Sequence, residues 1–419
     1  MRRPVTIAVV GAGARGRAYA HYALVHPDEA SIVAVAEPRP PYREAFAARH
    51  AIADDRVYAT WAELARRPQL ADAVIIATPD ALHVEPALAF ATQGYAVLLE
   101  KPMAPTEEGC RRVVEAAERH GVLLTVGHVL RYTPFTRILK GLVDEGRIGE
   151  IVSIQHLEPV GYWHYAHSYV RGNWRREDES TFMLLAKSCH DLDWIRYVMG
   201  RACVRVSSFG SLTHFRASER PEGAGERCVD CAVEPTCPYS AVRFYRRALG
   251  EPRGSYWVEI ITPDVSESGV MTALRHGPYG RCVYASDNDV VDHQVVNMEF
   301  DGGRTAGFTM TAFTPVADRK TRLFGTRGYL EGDGRRLRIY DFLSERTDTI
   351  DARPPGRAGA ESGHGGGDFG LMRAFVAAVA QGDPAAINTT PREILESHLM
   401  AFAAERSRRE GRVVTLDRM

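Results

Sequence analysis

The sequence lacks the marks of several functional classes. It carries almost no net charge: 52 Lys and Arg against 53 Asp and Glu leave a formal −1 over 419 residues. Binding to nucleic acid or to an acidic membrane surface draws on a basic excess, so neither is expected. No apolar run reaches the roughly eighteen residues of a membrane-spanning helix. Seven cysteines, an odd count in a long chain, do not read as a closed disulfide framework. No internal repeat is found. The short apolar stretch Val5–Val10, after Met1-Arg2-Arg3, runs straight into Gly11-Ala12-Gly13. That is short for a secretory signal core and fits a buried strand, so the protein is read as cytoplasmic.

What is present is an ordinary globular balance, 45% hydrophobic and 25% charged, in a chain long enough for two domains. Through residue 126 short apolar strands alternate with amphipathic helices. Strands are expected at Val5–Val10, Ser31–Ala36, Ala73–Ala77, Ala96–Leu99 and Leu123–Val126. Helices are expected at Arg15–His26, Pro41–His50, Leu82–Gln93 and Thr106–His120, the last with Thr106 as N-cap. This pattern predicts a parallel, doubly wound α/β sheet. Beyond it, strands are expected at Ile151–Leu157 and Val204–Ser211, then in a hairpin, Val291–Phe300 and Arg304–Phe313, across Asp301-Gly302-Gly303. Thr321–Phe324, Tyr329–Glu331 and Leu337–Asp341 continue them. The second domain is therefore α+β with a large, open, mostly antiparallel sheet. The division is residues 1–128 for nucleotide and 129–419 for substrate and oligomerisation. A Cys-rich insertion spans about 214–256, residues 353–367 form a loop, and helices Asp368–Gln381 and Pro391–Arg409 close the chain.

Gly11-Ala12-Gly13-Ala14-Arg15-Gly16 is a G-x-G-x-x-G turn between the first strand and first helix, and Glu37 ends the second strand. This context points to dinucleotide binding. Gly11 permits the turn, Gly13 lets the backbone approach a pyrophosphate, and Gly16 lets helix and strand pack closely. The helix N-terminus stabilises the phosphate charge. Glu37 would accept hydrogen bonds from ribose hydroxyls, which favours NAD. Arg39, two residues on, would accommodate a 2′-phosphate, so NADP stays open.

Further segments carry a family resemblance. Thr78-Pro79-x-x-x-His83 follows one strand, Glu100-Lys101-Pro102 follows the next, and Gly127-His128-x-x-Arg131-Tyr132 begins the crossover. With the glycine turn, these resemble the glucose–fructose oxidoreductase/inositol dehydrogenase (Gfo/Idh/MocA) family. The resemblance implies a Rossmann domain, a sheet-rich substrate domain with the active site between them, and homodimers or homotetramers built on the open sheet. It places Thr78, Pro79, His83, Glu100, Lys101 and Arg131 around the cofactor. It also places Lys101 near the nicotinamide and the reacting hydroxyl, where an ammonium stabilises alkoxide-like charge. Taken alone, Lys101 would read as a solvated strand-end lysine.

In Leu184–Asp193 the resemblance assigns His190 as the proton relay, a role suited to imidazole. Lys187 falls on the same helical face and would hold a substrate hydroxyl or assist Lys101. Many relatives carry an aspartate four residues before the histidine. Here Ala186 stands there, which weakens any claim to inositol in particular. Residues 161–174 are aromatic and polar. Tyr162, Trp163, His167, Arg171, Asn173 and Trp174 are candidate substrate contacts, the competing reading being an aromatic-rich loop core. His364 reads equally as a substrate contact or as part of the turn before a helix capped by Asp368.

Cys228-x2-Cys231-x5-Cys237 in the insertion has the spacing of a metal site short of one ligand. Cys282, after a tight turn, is the candidate fourth, with His276 and Cys203 as alternatives. A structural zinc is the reading, against an iron–sulfur cluster or unligated thiols. The expected function is hydride transfer between NAD(P) and a hydroxyl or keto carbon of a small polyhydroxylated molecule: a sugar, inositol or related polyol. Two alternatives are a glycosidase that recycles tightly bound NAD and a non-catalytic nucleotide-binding regulator.

Overall fold

A computed structural model describes residues 3–251, 254–353 and 364–417. The first domain is built on six parallel strands: β1 (Val5–Val10), β2 (Ala30–Ala36), β3 (Val57–Tyr58), β4 (Ala73–Ile76), β5 (Ala96–Leu99) and β6 (Leu124–Val126), in the order 3-2-1-4-5-6. Strands β1, β4 and β5 are buried on both faces, as continuous apolar runs require when helices cover a parallel sheet. The helices are α1 (Ala14–Val25), α2 (Pro40–Arg49), α3 (Trp61–Ala65), α4 (Val84–Thr92) and α5 (Glu107–His120). Thr106 caps α5, its side chain accepting from the Gly109 N–H at 3.1 Å. Strand β3 and helix α3 are too short for a hydrophobic period to repeat, so periodicity does not reveal them. The Thr60/Glu63 capping box was their one legible sign.

Helix α6 (Pro134–Asp144) leads to β7 (Ile151–Pro159), a short helix α7 (Tyr162–Tyr165) and a π-turn over Ala166–Arg171. Then follow α8 (Met183–Met199), β8 (Cys203–Ser211), α9 (Ala241–Gly250), α10 (Ser255–Ile261) and α11 (Glu267–His276). Strands β9 (His293–Phe300) and β10 (Arg304–Thr311) form the expected hairpin, with Arg304 opposite Phe300. After them come β11 (Lys320–Gly325), β12 (Gly328–Gly332), β13 (Arg336–Asp341) and β14 (Thr347–Asp351). Helices α12 (Gly367–Gln381) and α13 (Pro391–Glu410) and strand β15 (Val414–Thr415) follow. Nine strands form one sheet in the order 14-13-12-11-7-10-9-8-15, antiparallel except at β7–β10. Helix α8 lies between this sheet and α13 with most of its side chains buried.

Two expectations change. The insertion is longer than 214–256: among the described residues no sheet strand occurs between Ser211 and His293, and α9–α11 lie in the interval. Asp368 is not an N-cap. Gly366 holds that position with φ 96°, and Asp368 lies in the first turn of α12. Most of the loop expected at 353–367 lies outside the described residues. Helix α12 returns to the first domain, where Phe369, Leu371, Met372 and Phe375 pack among residues of β1 and α1.

Candidate active site

The glycine turn has the geometry its sequence implies. Gly11 has φ +94°, and a Cβ there would meet Ala77 O at 2.5 Å. A Cβ on Gly16 would fall 1.9 Å from Gly11 O, so only glycine lets α1 approach the turn this closely. A Cβ on Gly13 would meet nothing nearer than the Arg39 guanidinium at 3.6 Å, leaving backbone open at the N-terminus of α1. Glu37 is 2% exposed. Its carboxylate accepts from the Ala12 N–H at 2.9 Å and from Arg39 Nε at 2.7 Å. Although burial opposes ionisation, these donors hold the Glu37 carboxyl below its ordinary value. Arg39 also lies over the Tyr42 ring at 4.0 Å. The open backbone beside an ionised carboxylate fits a dinucleotide.

Arg15 does not point freely into this space. Its Nε donates to Glu100 at 2.5 Å, and its two terminal nitrogens donate to Asp368 at 3.0 Å each. It thereby ties Glu100-Lys101-Pro102 to α12. Tyr19 adds a second donor to Glu100 at 2.9 Å. His83 spans the carbonyls of Pro102 (2.7 Å) and Thr78 (2.9 Å), joining the Thr78-Pro79 turn to the same segment.

Lys101 stands at the carboxyl end of β5, and its Nζ donates to Ala186 O on α8 at 2.6 Å. That contact brings the two halves of the site together, since α8 also carries Lys187 and His190. His190 is 4% exposed and its Nδ1 has no hydrogen-bond partner. Burial, then the nearby Lys101, holds its pKa well below the ordinary value, so the ring is neutral at about pH 7. Lys187 is likewise lowered by burial, although Glu158 at 3.3 Å opposes the shift. Glu158 is held in turn by Arg319 at 2.6 Å, and Arg319 reaches Asp191 at 2.9 Å. His364 approaches from the other side, its ring 5.8 Å from that of His190 and its Nδ1 3.0 Å from Asp368.

Several expected contacts lie elsewhere. Arg131 is 1% exposed and wholly committed: Nε and Nη2 donate to Asp193 at 2.7 Å each, and Nη1 donates to Asn388 O at 2.9 Å. It fastens the crossover to α8. Arg171 donates to Arg281 O at 2.7 Å and Tyr239 O at 2.9 Å, fastening the insertion. Trp174 donates to Asp80 at 3.1 Å across the domains. His167 is hydrogen-bonded to Tyr245, and Asn173 is exposed. Tyr162 and Trp163 line a cleft against α9, with Trp163 stacked on Phe244 at 4.7 Å. In this segment His164 is the ring that senses both Lys187 and Lys101. Sequence reasoning passed over His164, Glu158 and Arg319. They come from separate elements, and only the sheet places the last two together.

The insertion reaches the nucleotide turn. Glu259 on α10 pairs with Arg17 at 3.2 Å, directly after the last glycine of the turn, and its carbonyl accepts from Tyr42 at 3.4 Å. All seven cysteines are free thiols. Among the described residues no three His, Cys, Asp or Glu side chains are gathered closely enough to hold a metal ion, so the expected ligation is not formed here. Among them too, no helix is long and apolar enough to cross a membrane.

A six-stranded Rossmann sheet joined to a nine-stranded mixed sheet, with ionisable groups where they meet, defines a two-domain dinucleotide-binding protein. The chain belongs to the Gfo/Idh/MocA oxidoreductases. Residues 5–128 match the family model "Oxidoreductase family, NAD-binding Rossmann fold", and residues 140–416 match its C-terminal alpha/beta domain. Among curated relatives, YteT of Bacillus subtilis (strain 168), named only provisionally as an oxidoreductase, is 28% identical over 62% of this chain and 60% of its own length. Inositol 2-dehydrogenase 2 of Saccharopolyspora erythraea is 33% identical over 33% of this chain and 38% of its own. The matched stretches thus span less than two thirds of these relatives. An Agrobacterium radiobacter oxidoreductase solved with NAD+, L-tartaric acid and magnesium shares the fold at TM-score 0.71 and 16% identity, over 98% of both chains. An NAD-binding oxidoreductase of Klebsiella pneumoniae does so at TM-score 0.71 and 21% identity, over 99% of this chain and all of that one.

Proposed function

We propose that the protein is an NAD-dependent oxidoreductase acting on a hydroxyl or keto carbon of a small polyhydroxylated molecule, a sugar, inositol or related polyol. The observation that carries this reading is the convergence of Lys101 from the first domain with His190 and Lys187 from the second. Gly11, Ala12, Gly13 and Gly16 would hold the pyrophosphate, and Glu37 the adenosine ribose. When bound, the nicotinamide takes up or returns the hydride. The chain's own residues manage the proton. Lys101 stabilises negative charge on the substrate oxygen. Neutral His190 accepts the hydroxyl proton through a ring nitrogen, and Lys187, kept by Glu158, orients a neighbouring hydroxyl. Relatives named as inositol dehydrogenases support the substrate class. Glu37 favours NAD over NADP, because its carboxylate faces the turn and occupies Arg39. Replacing Lys101 by Ala should abolish turnover, by a factor on the order of 10²–10³ or more, while nucleotide affinity stays largely intact. Unchanged turnover would refute the assignment.

A further inference from the structure

The insertion between β8 and β9 has little to hold it together. Among the described residues its own hydrophobic cluster contains eight buried side chains, Cys228 one of them. Before α9 it forms only three short 3-10 turns, at Ala217–Glu219, Cys228–Asp230 and Glu234–Thr236. Segments with so thin a core ordinarily rely on a cross-link or a metal. A disulfide does not supply it, since every cysteine is a free thiol.

Four of those thiols border one space, though not closely enough to hold an ion as they stand. Cys228, Cys231, Cys237 and Cys282 all line a single small cavity of about 20 Å³. Backbone pairing puts two of them side by side: Arg227 bridges Arg281, and the Cys282 N–H donates to Glu226 O at 2.8 Å. Each sulphur also meets an N–H donor. Arg171 Nη2 donates to Cys228 at 3.5 Å and the Gly225 N–H to Cys231 at 3.3 Å. The backbone N–H groups of Tyr239 and Tyr284 face Cys237 and Cys282. Cys228 alone also faces an acceptor, Arg281 O at 3.9 Å. N–H donors around the sulphurs are the kind of outer-shell contact that orients metal-binding cysteines.

We propose that Cys228, Cys231, Cys237 and Cys282 form a tetrathiolate site for one thiophilic divalent cation, Zn²⁺, which staples the insertion. The sulphurs ring the cavity more widely than zinc–thiolate bonds of about 2.3 Å allow, so they turn inward on binding. Four protein ligands close the coordination sphere, so the ion is structural. Its mechanical consequence reaches the nucleotide turn, because the same insertion carries Glu259 to Arg17.

The test is metal analysis of full-length protein purified under reducing, chelator-free conditions. About one zinc per chain is expected, lost in the C237S/C282S variant and retained in C110S. Cobalt taken up in its place should show the absorption of a tetrahedral thiolate site. Should the double variant fail to fold, alkylation of the wild-type protein answers instead. Cys228, Cys231, Cys237 and Cys282 should then become reactive only when a chelator is added, while Cys110, Cys189 and Cys203 do not respond. Iron with sulphide, a disulfide among the four, no zinc even after its addition to reduced protein, or labelling indifferent to chelator would each overturn the proposal.

Discussion

Removing the Asp193 carboxylate should damage both the stability of this protein and the placement of its proton acceptor. Asp193 and Arg131 are each 1% exposed, and two hydrogen bonds of 2.7 Å join them. The guanidinium also lies 4.7 Å from the Tyr197 ring centre. In Asp193→Ala the arginine stays buried without its partner. Breaking such a pair from one side costs about 3–5 kcal/mol, mostly the penalty of an uncompensated buried charge. Asp193 lies three residues beyond His190 on α8, so its loss also frees that helix from the crossover. A displacement near 1 Å at a reacting group lowers kcat on the order of 10²-fold. Urea unfolding followed by circular dichroism measures the first effect, and steady-state kinetics on the folded variant the second. The double variant R131M/D193A should recover part of the stability, because it leaves no orphaned charge. A change below about 1 kcal/mol in Asp193→Ala would refute this account. So would an Arg131→Met variant that keeps its stability but loses nucleotide affinity, which would return Arg131 to the cofactor.

Three other predictions follow from particular contacts. Glu37→Ala removes the carboxylate that occupies Arg39, so the preference for NAD over NADP should fall or reverse when the two affinities are compared by titration. Burial holds His167 and His398 at about 3, against an ordinary 6.5. Above pH 6.5 both rings are neutral folded or unfolded. Below it the unfolded chain takes up protons that the folded one refuses until about pH 3. Stability should therefore fall across that window by about 1.4 kcal/mol per pH unit for each ring, and a His398→Gln variant should lose one ring's share of the slope in urea unfolding at several pH values. Phe209 and Val295 are exposed neighbours on the open sheet, 66% and 37% accessible. If that face joins copies of the chain, Phe209→Arg should reduce the mass found by light scattering from dimer or tetramer toward monomer.

How much of this was legible in the sequence depends on how local each feature is. The Rossmann strands, the β9–β10 hairpin and the closing helices were readable, since apolar periodicity and Gly-Gly or Gly-x-Gly turns are short-range signals. The two-residue β3 offered no such period, whereas the insertion helix α9 is amphipathic, with Ala241, Tyr245 and Ala248 buried, and was missed because the polar stretch before it masks its onset. Lys101, His190 and Lys187 were found through motifs, and the fold gathers them. Arg131 is placed at the cofactor by the family resemblance, and Arg171 and Trp174 at the substrate because aromatic and polar side chains in one loop suit a polyhydroxylated ligand. Each instead satisfies buried acceptors or reaches across the domains, a role that depends on partners 62 to 110 residues away in the chain or on the other domain. Glu158 and Arg319 were invisible for the same reason: their meeting is a product of strand order.

The most direct test of the central claim is nicotinamide absorbance of the purified protein with NAD and a panel of inositols, free sugars, sugar acids and glycosides. The account predicts reduction of NAD with at least one polyhydroxylated substrate, and its loss in the Lys101→Ala variant that still binds the nucleotide. A wild-type protein that binds NAD yet reduces neither it nor NADP with any member of the panel would contradict it.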